Sequence, residues 1–159
     1  MTPLVLLSGM MCDARLFGPQ IAAFGGRALH LAPLVGASSI QAMAAQILAE
    51  APPRFALAGL SMGGIVAMEV IAQAPARVER LALLDTNPCA ELPEVQARRA
   101  PQIARVLAGG LTEVMRDEMK PNYLTDGPDR DAILALCMEM ACALGPQVFA
   151  NQSRALRDR

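Results

Sequence analysis

The residues that point most directly to covalent chemistry are Gly59-Leu60-Ser61-Met62-Gly63. They stand between an apolar run at 55–60 and a second at 64–74. The first run reads as a strand and the second as a helix, so Ser61 falls on a sharp turn that projects its hydroxyl alone. Gly59, Gly63 and the additional Gly64 leave room for neighbouring backbone where a side chain would clash. The helix behind Ser61 aims unpaired N–H groups and the positive end of its dipole at the place where a tetrahedral oxyanion forms, with the Met62 N–H as one donor. A second donor is expected from the loop after the first strand, Ser8-Gly9-Met10-Met11, and falls to the Met10 N–H. Gly9 and Met11 would then line the pocket.

A serine of this kind needs a base, and the chain's one histidine, His30, precedes Ser61. It lies between Leu29 and Leu31 in a strand-like stretch, where a packed neutral imidazole is the simpler reading. Asp85 ends the following strand, at the edge where ligands and catalytic groups gather in open parallel sheets, and counts as a pocket candidate. With no histidine beside it, its simpler role is hydrogen bonding in the Asp85-Thr86-Asn87-Pro88 turn. Two other readings of the glycine motif are an ordinary tight turn and a phosphate loop. The phosphate loop lacks both a Lys after the glycines and a G-x-G-x-x-G spacing.

The elements that must hold these residues alternate. Residues 3–7, 28–32, 55–60 and 80–84 are short continuous apolar runs, as expected for strands of a parallel sheet covered on both faces. Asp13 begins a helical pattern that ends at Gly25-Gly26. Ser38 or Ser39 begins a second, through Ile40, Met43, Ala44, Ile47 and Leu48, which Pro52-Pro53 stops. The third follows Ser61 and closes at Pro75. After Pro88 no strand pattern remains, and helical stretches are divided by Gly109-Gly110, Pro121, Gly127-Pro128 and Gly145-Pro146. The resulting expectation is an α/β core over residues 1–90, with a parallel sheet of about four strands, and an all-helical cap over 91–159.

With 53% hydrophobic and 18% charged residues and a net charge of −1, the chain has material for one core and no basic stripe. Neither nucleic acid nor a membrane is expected as a partner. No apolar run approaches the ~20 residues of a membrane span and residues 1–8 lack a secretory pattern, so the cytoplasm is the expected location. Cys12, Cys89, Cys137 and Cys142 form no C-x-x-C pair and read as buried free thiols; no metal and no cofactor are expected. Met10, Met11, Met62, Met115, Met119, Met138 and Met140 could line an adaptable acyl pocket, although core filling is the plainer role for those on helices. Tyr123, in a Pro-Asn-Tyr loop, could reach the pocket from the cap. Glu91, Glu94, Arg98 and Arg99 read as a solvated helix face.

Four segments, in order, carry a resemblance: Leu6-Leu7-Ser8-Gly9-Met10-Met11-Cys12-Asp13, Ala56 through Gly64, Pro75-Ala76-Arg77-Val78 and Leu81-Ala82-Leu83-Leu84-Asp85-Thr86. The chain resembles the first two-thirds of an α/β-hydrolase of the small, cap-bearing esterase and lactonase-like group. The resemblance implies that Ser61 is the nucleophile, that Met10 and Met62 are oxyanion donors, and that the substrate is a small acyl compound. It also implies an acid and a histidine on two later strands, and neither appears before Arg159. The expected activity is cleavage of an ester, lactone or thioester through an acyl-enzyme on Ser61, with these residues alone inactive or nearly so. A non-catalytic binding form and an acyltransferase are the alternatives. The last strand, left without a neighbour, is expected to drive self-association.

Overall fold

The computed structural model describes residues 1–159, apart from the Asn122 side chain. Strand β1 (Leu4–Leu7) is followed by a 3-10 turn over Ala14–Phe17, where the Asp13 carboxylate accepts from the Arg15 N–H, and by the short helix α1 (Gly18–Ala23). Then come β2 (Leu29–Ala32), α2 (Ile40–Glu50), β3 (Phe55–Leu60), α3 (Met62–Gln73) and β4 (Val78–Leu84). Ser39 caps α2 by accepting from the Ala42 N–H at 3.2 Å. The far end of α2 is closed by Arg77, whose guanidinium donates to the carbonyls of Leu48, Ala51, Pro52 and Pro53 while lying 5.6 Å over the Phe55 ring.

All four strands are parallel, in the order β2-β1-β3-β4. The chain leaves β1 towards β2 on one side, then crosses back to place β3 on the other. The order therefore reverses between β1 and β3, and the region outside the carboxyl ends of strands at such a reversal is the usual ligand position in open α/β sheets. Alternate residues serve opposite faces: Val5, Leu7, Phe55 and Leu57 enter the main core with α2 and α3, whereas Leu4, Leu6, Ala56 and Ala58 meet Phe17 and Ile21 on the other face.

Beyond β4 the chain is helical, as its sequence indicates. Helix α4 (Pro93–Arg105) runs into π-wound turns at Val106–Gly110 and Val114–Met119 on either side of α5 (Leu111–Glu113), with Gly109 at φ 102°. The long helix α6 (Arg130–Arg157) is broken at Gly145, at φ 81° and ψ 175°, where Pro146 begins a second arm. Counted as one helix, α6 is long and apolar enough to cross a membrane by length and composition, contrary to the expectation that no apolar run would come near that length. The break splits it into shorter arms, and Phe149, Ala150, Ala155 and Leu156 of the second belong to the main core.

Two details differ from the sequence reading. Cys89 and Cys142 are exposed and only Cys137 is fully buried, so the four thiols do not share a core role. Nor is the helix face around α4 uniformly solvated: Glu94 and Arg98 are exposed, while Arg99 turns inward and pairs with Glu91.

Candidate active site

Ser61 occupies the single residue between β3 and α3, at φ 53° and ψ −115°, and is solvent-exposed. Few non-glycine residues hold positive φ, and those that do cluster where surrounding structure forces them. Here the forcing contacts are visible. The Ser61 N–H donates to the Leu84 carbonyl at 2.9 Å, and the Thr86 hydroxyl donates to the Ser61 carbonyl at 2.8 Å, so the turn is held from β4. A β-carbon on Gly59 would lie 2.3 Å from the Gly63 carbonyl oxygen, and one on Gly63 only 2.2 Å from that of Leu7. The two flanking positions therefore admit no side chain while the turn keeps this shape. Gly64 is equally tight, since its β-carbon would come within 2.6 Å of the Thr86 methyl.

Met62 opens α3, so its N–H is among the helix-initial amides that have no intrahelical acceptor. The loop after β1 turns at 9–12, with the Cys12 N–H donating to the Gly9 carbonyl at 3.2 Å. Gly9 stands beside the serine: a β-carbon there would be 3.7 Å from Ser61 Cβ. The Met10 N–H has no acceptor among the described residues, whereas the N–H of Met11, a residue at φ 56°, donates to Gln152 Oε1 at 2.8 Å. An exposed hydroxyl at the head of a helix, bordered by a loop with a free amide, is an arrangement suited to attack on an acyl carbon and to holding the oxygen that becomes negative.

The remaining candidates divide. The side chains of Met10, Met11, Met62, Met115 and Met140 are buried, and Met119 and Met138 pack against the core, in keeping with core filling. Asp85 is exposed at φ 43° and its side chain forms no hydrogen bond among the described residues; the turn is bonded instead through Thr86 and through Asn87, which accepts from the Cys89 N–H. Tyr123 packs on the main core, and burial, with the nearby Cys12 and Cys137 thiols, pushes its hydroxyl pKa up. Val5 pairs with both His30 and Leu57, which places His30 four residues short of the serine and two strands away. That separation, about 13 Å along the strands and about 10 Å across them, rules out proton transfer between the two side chains. The His30 Nε2 is buried without a hydrogen-bond partner.

Sequence reasoning misses three contributors. Thr86 reads only as part of a turn. Gln152 is 1% exposed and its amide spans two loops, accepting from Met11 and donating to the Leu34 carbonyl at 2.8 Å. Arg99 donates through Nε and Nη2 to the Glu91 carboxylate, and its Nη1 lies 3.6 Å from Met10 Sδ, so a buried ion pair rests on the loop beside Ser61. A cavity of about 270 Å³ lies beyond Ser8 and Cys12 towards Leu34, and another of about 260 Å³ lies between Ile65 and Arg159; Ser61 lines neither. Among the described residues no three His, Cys, Asp or Glu side chains converge as a metal site.

A family model described as a thioesterase domain matches residues 16–143. The pimeloyl-(acyl-carrier protein) methyl ester esterase of Klebsiella pneumoniae is 37% identical over 97 residues, which cover 54% of this chain and 37% of that protein. The enzyme of the same name from Pectobacterium carotovorum is 36% identical, over 55% and 38%. The chain thus spans less than two-fifths of the curated relatives it matches. A thermophilic esterase from Thermogutta terrifontis superposes with a TM-score of 0.85 at 21% identity, over 100% of this chain and 64% of that one. The enol-lactonase from Burkholderia xenovorans gives 0.83 at 21% identity, over 98% and 65%. At that identity the two structures speak for the fold.

Proposed function

Because this chain belongs to the thioesterase-domain family, within the α/β-hydrolase superfamily, we propose that it is the Ser61-bearing part of a serine hydrolase of acyl esters. The observation that carries the reading is the exposed Ser61 at φ 53°, at the head of α3. In this mechanism the Ser61 oxygen attacks the acyl carbon and the carbonyl oxygen takes up negative charge against the N–H groups of Met10 and Met62. The alcohol or thiol then leaves and water releases the acyl group. The base and the acid behind it are assigned to polypeptide outside residues 1–159, because the histidine within them is too distant. The relatives' greater length leaves room for such a segment. Gly9, beside Ser61, and the exposed Asp85 border the acyl pocket, while Met11 and Tyr123, packed into the core, back it from inside. An acyl methyl ester, the bond named for the Klebsiella relative, is the first substrate to try, with a lactone and a thioester beside it; the cytoplasm is the location that suits this reading.

The test is made on the natural gene product with a fluorophosphonate, which reacts with activated serines. An adduct on the peptide containing Ser61, lost in Ser61→Ala, together with turnover of one of the three ester types, supports the reading. A gene product that turns over none of them and leaves Ser61 unlabelled overturns it.

A further inference from the structure

The cavity of about 270 Å³ beyond Ser8 and Cys12 lies where the two apolar clusters meet. Leu6, Phe17 and Leu31 line it from the smaller cluster, and Leu34 and Leu144 from the main core, with Val35 beside them. Its walls are fixed by hydrogen bonds of their own. The Gln152 amide donates to the Leu34 carbonyl and accepts from the Met11 N–H, each at 2.8 Å, and the Ser8 hydroxyl donates to the Cys12 carbonyl at 2.7 Å. The more exposed liners, Asp13 and Ala14, mark its outer end.

We propose that this cavity is a second ligand site, shaped for an unbranched aliphatic chain that ends in an uncharged hydrogen-bond donor, a medium-chain alcohol being the type. The inference does not depend on the chemistry of Ser61, which is not among the liners. An apolar body with a single buried polar group is the usual composition of a small-molecule site. An enclosed apolar cavity of about 150 Å³ takes one benzene, so about 270 Å³ suits a chain of roughly six to eight carbons. The buried polar group is Ser8, 4% exposed. Its hydroxyl proton is committed to the Cys12 carbonyl, so towards a ligand its oxygen can only accept, and an alcohol O–H supplies the missing donor.

Charge decides against other head groups. No Lys, Arg or His is among the described liners, and the one ionisable carboxyl is Asp13. The Arg15 guanidinium, donating to it through Nε and Nη2, holds that carboxyl below the usual carboxylate range, so Asp13 is an anion at neutral pH and repels a carboxylate or phosphate. The same ion pair leaves Asp13 already neutralised. An ammonium head would therefore lose its water against Leu6, Leu31 and Leu34 with no charge free to replace it.

The natural gene product, with its leucine and valine methyl groups labelled for NMR, is titrated with 1-butanol, 1-hexanol, 1-octanol, 1-decanol and hexanoate. The methyl signals of Leu34, Val35 and Leu144 should shift saturably with hexanol. Affinity should rise roughly threefold to fourfold for each added methylene, as burial of a CH₂ predicts, and stop rising at about eight carbons, where the cavity is full. Hexanoate should bind at least about tenfold more weakly than hexanol. Ala14→Trp, at an exposed position of the outer end, should abolish the shifts with an unchanged melting temperature, and Val35→Phe, which fills the space from the segment after β2, should abolish them as well. Shifts that do not saturate, affinity that keeps rising to decanol as in general partitioning, hexanoate binding as well as hexanol, or shifts that persist in both variants would each overturn the proposal.

Discussion

The Thr86 hydroxyl donates to the Ser61 carbonyl at 2.8 Å, and the Thr86 methyl fills the space that a β-carbon on Gly64 would need. One side chain just beyond β4 thus both ties down the turn and limits what can follow it. Thr86→Val should remove the bond and cost about 1 kcal/mol in urea unfolding. Gly64→Ala should cost about 1–3 kcal/mol through overpacking, and much of that loss should disappear in the Gly64→Ala, Thr86→Ala pair. Additive losses would show that the methyl is not what excludes Ala.

The positive φ of Ser61 makes a second expectation. Ser61→Ala and Ser61→Gly both remove the hydroxyl, but only glycine relaxes the backbone. After allowance for the greater freedom of glycine in the unfolded chain, Ser61→Gly should be the more stable of the two by about 1 kcal/mol. Equal melting temperatures would mean that the turn holds little strain.

Gln152→Ala leaves the Met11 N–H and the Leu34 carbonyl unpaired in a buried place. The expected loss is about 2–4 kcal/mol by chemical denaturation. In the natural gene product the rate of fluorophosphonate labelling at Ser61 should fall further than the folded fraction does, because the loop bearing the Met10 N–H loses its anchor. A labelling rate that tracks the folded fraction would confine Gln152 to a structural role.

Glu91 and Arg99 form an enclosed ion pair at the start of the helical half, with side chains 6% and 10% exposed. Glu91→Gln strands the guanidinium and should cost about 3–5 kcal/mol, whereas Glu91→Leu with Arg99→Met should restore most of it. A double variant as weak as the single one would show that the pair contributes more than its mutual neutralisation.

Strand β4 has one free edge, and Leu81, Leu83 and Leu84 are 41–45% exposed. Residues 1–159 in isolation should therefore associate with a second copy through that edge, and Leu81→Lys with Leu83→Lys should shift them towards monomer in light scattering. A monomeric parent chain at high concentration would remove this expectation.

How much of this is legible in the sequence depends on range. The limits of β3 and the identity of Ser61 as its terminal turn follow from neighbours in sequence, a continuous apolar run and glycines at fixed offsets. Ser39, Pro52 and Gly145 mark helix limits for the same local reason. The Arg99–Glu91 pair and the Gln152 bridge depend on which elements meet, and a charged or amide side chain on a helix looks solvated until its neighbours are known. The apolar length of α6 is hidden because Gly145-Pro146 reads as a stop, although the two arms form one broken helix.

The break at Gly145 sets the seam along which this architecture can be cut and rejoined. The arm before it carries Cys137 and lends Ala141 to the core, while the arm after it buries Gln152 and Phe149 and its Asn151 reaches the Gly36 carbonyl. A chimera that borrows the corresponding helices of another protein of this fold should exchange residues 91–144 and keep 146–157. Grafting the whole stretch to 159 would extract part of the foundation along with the roof.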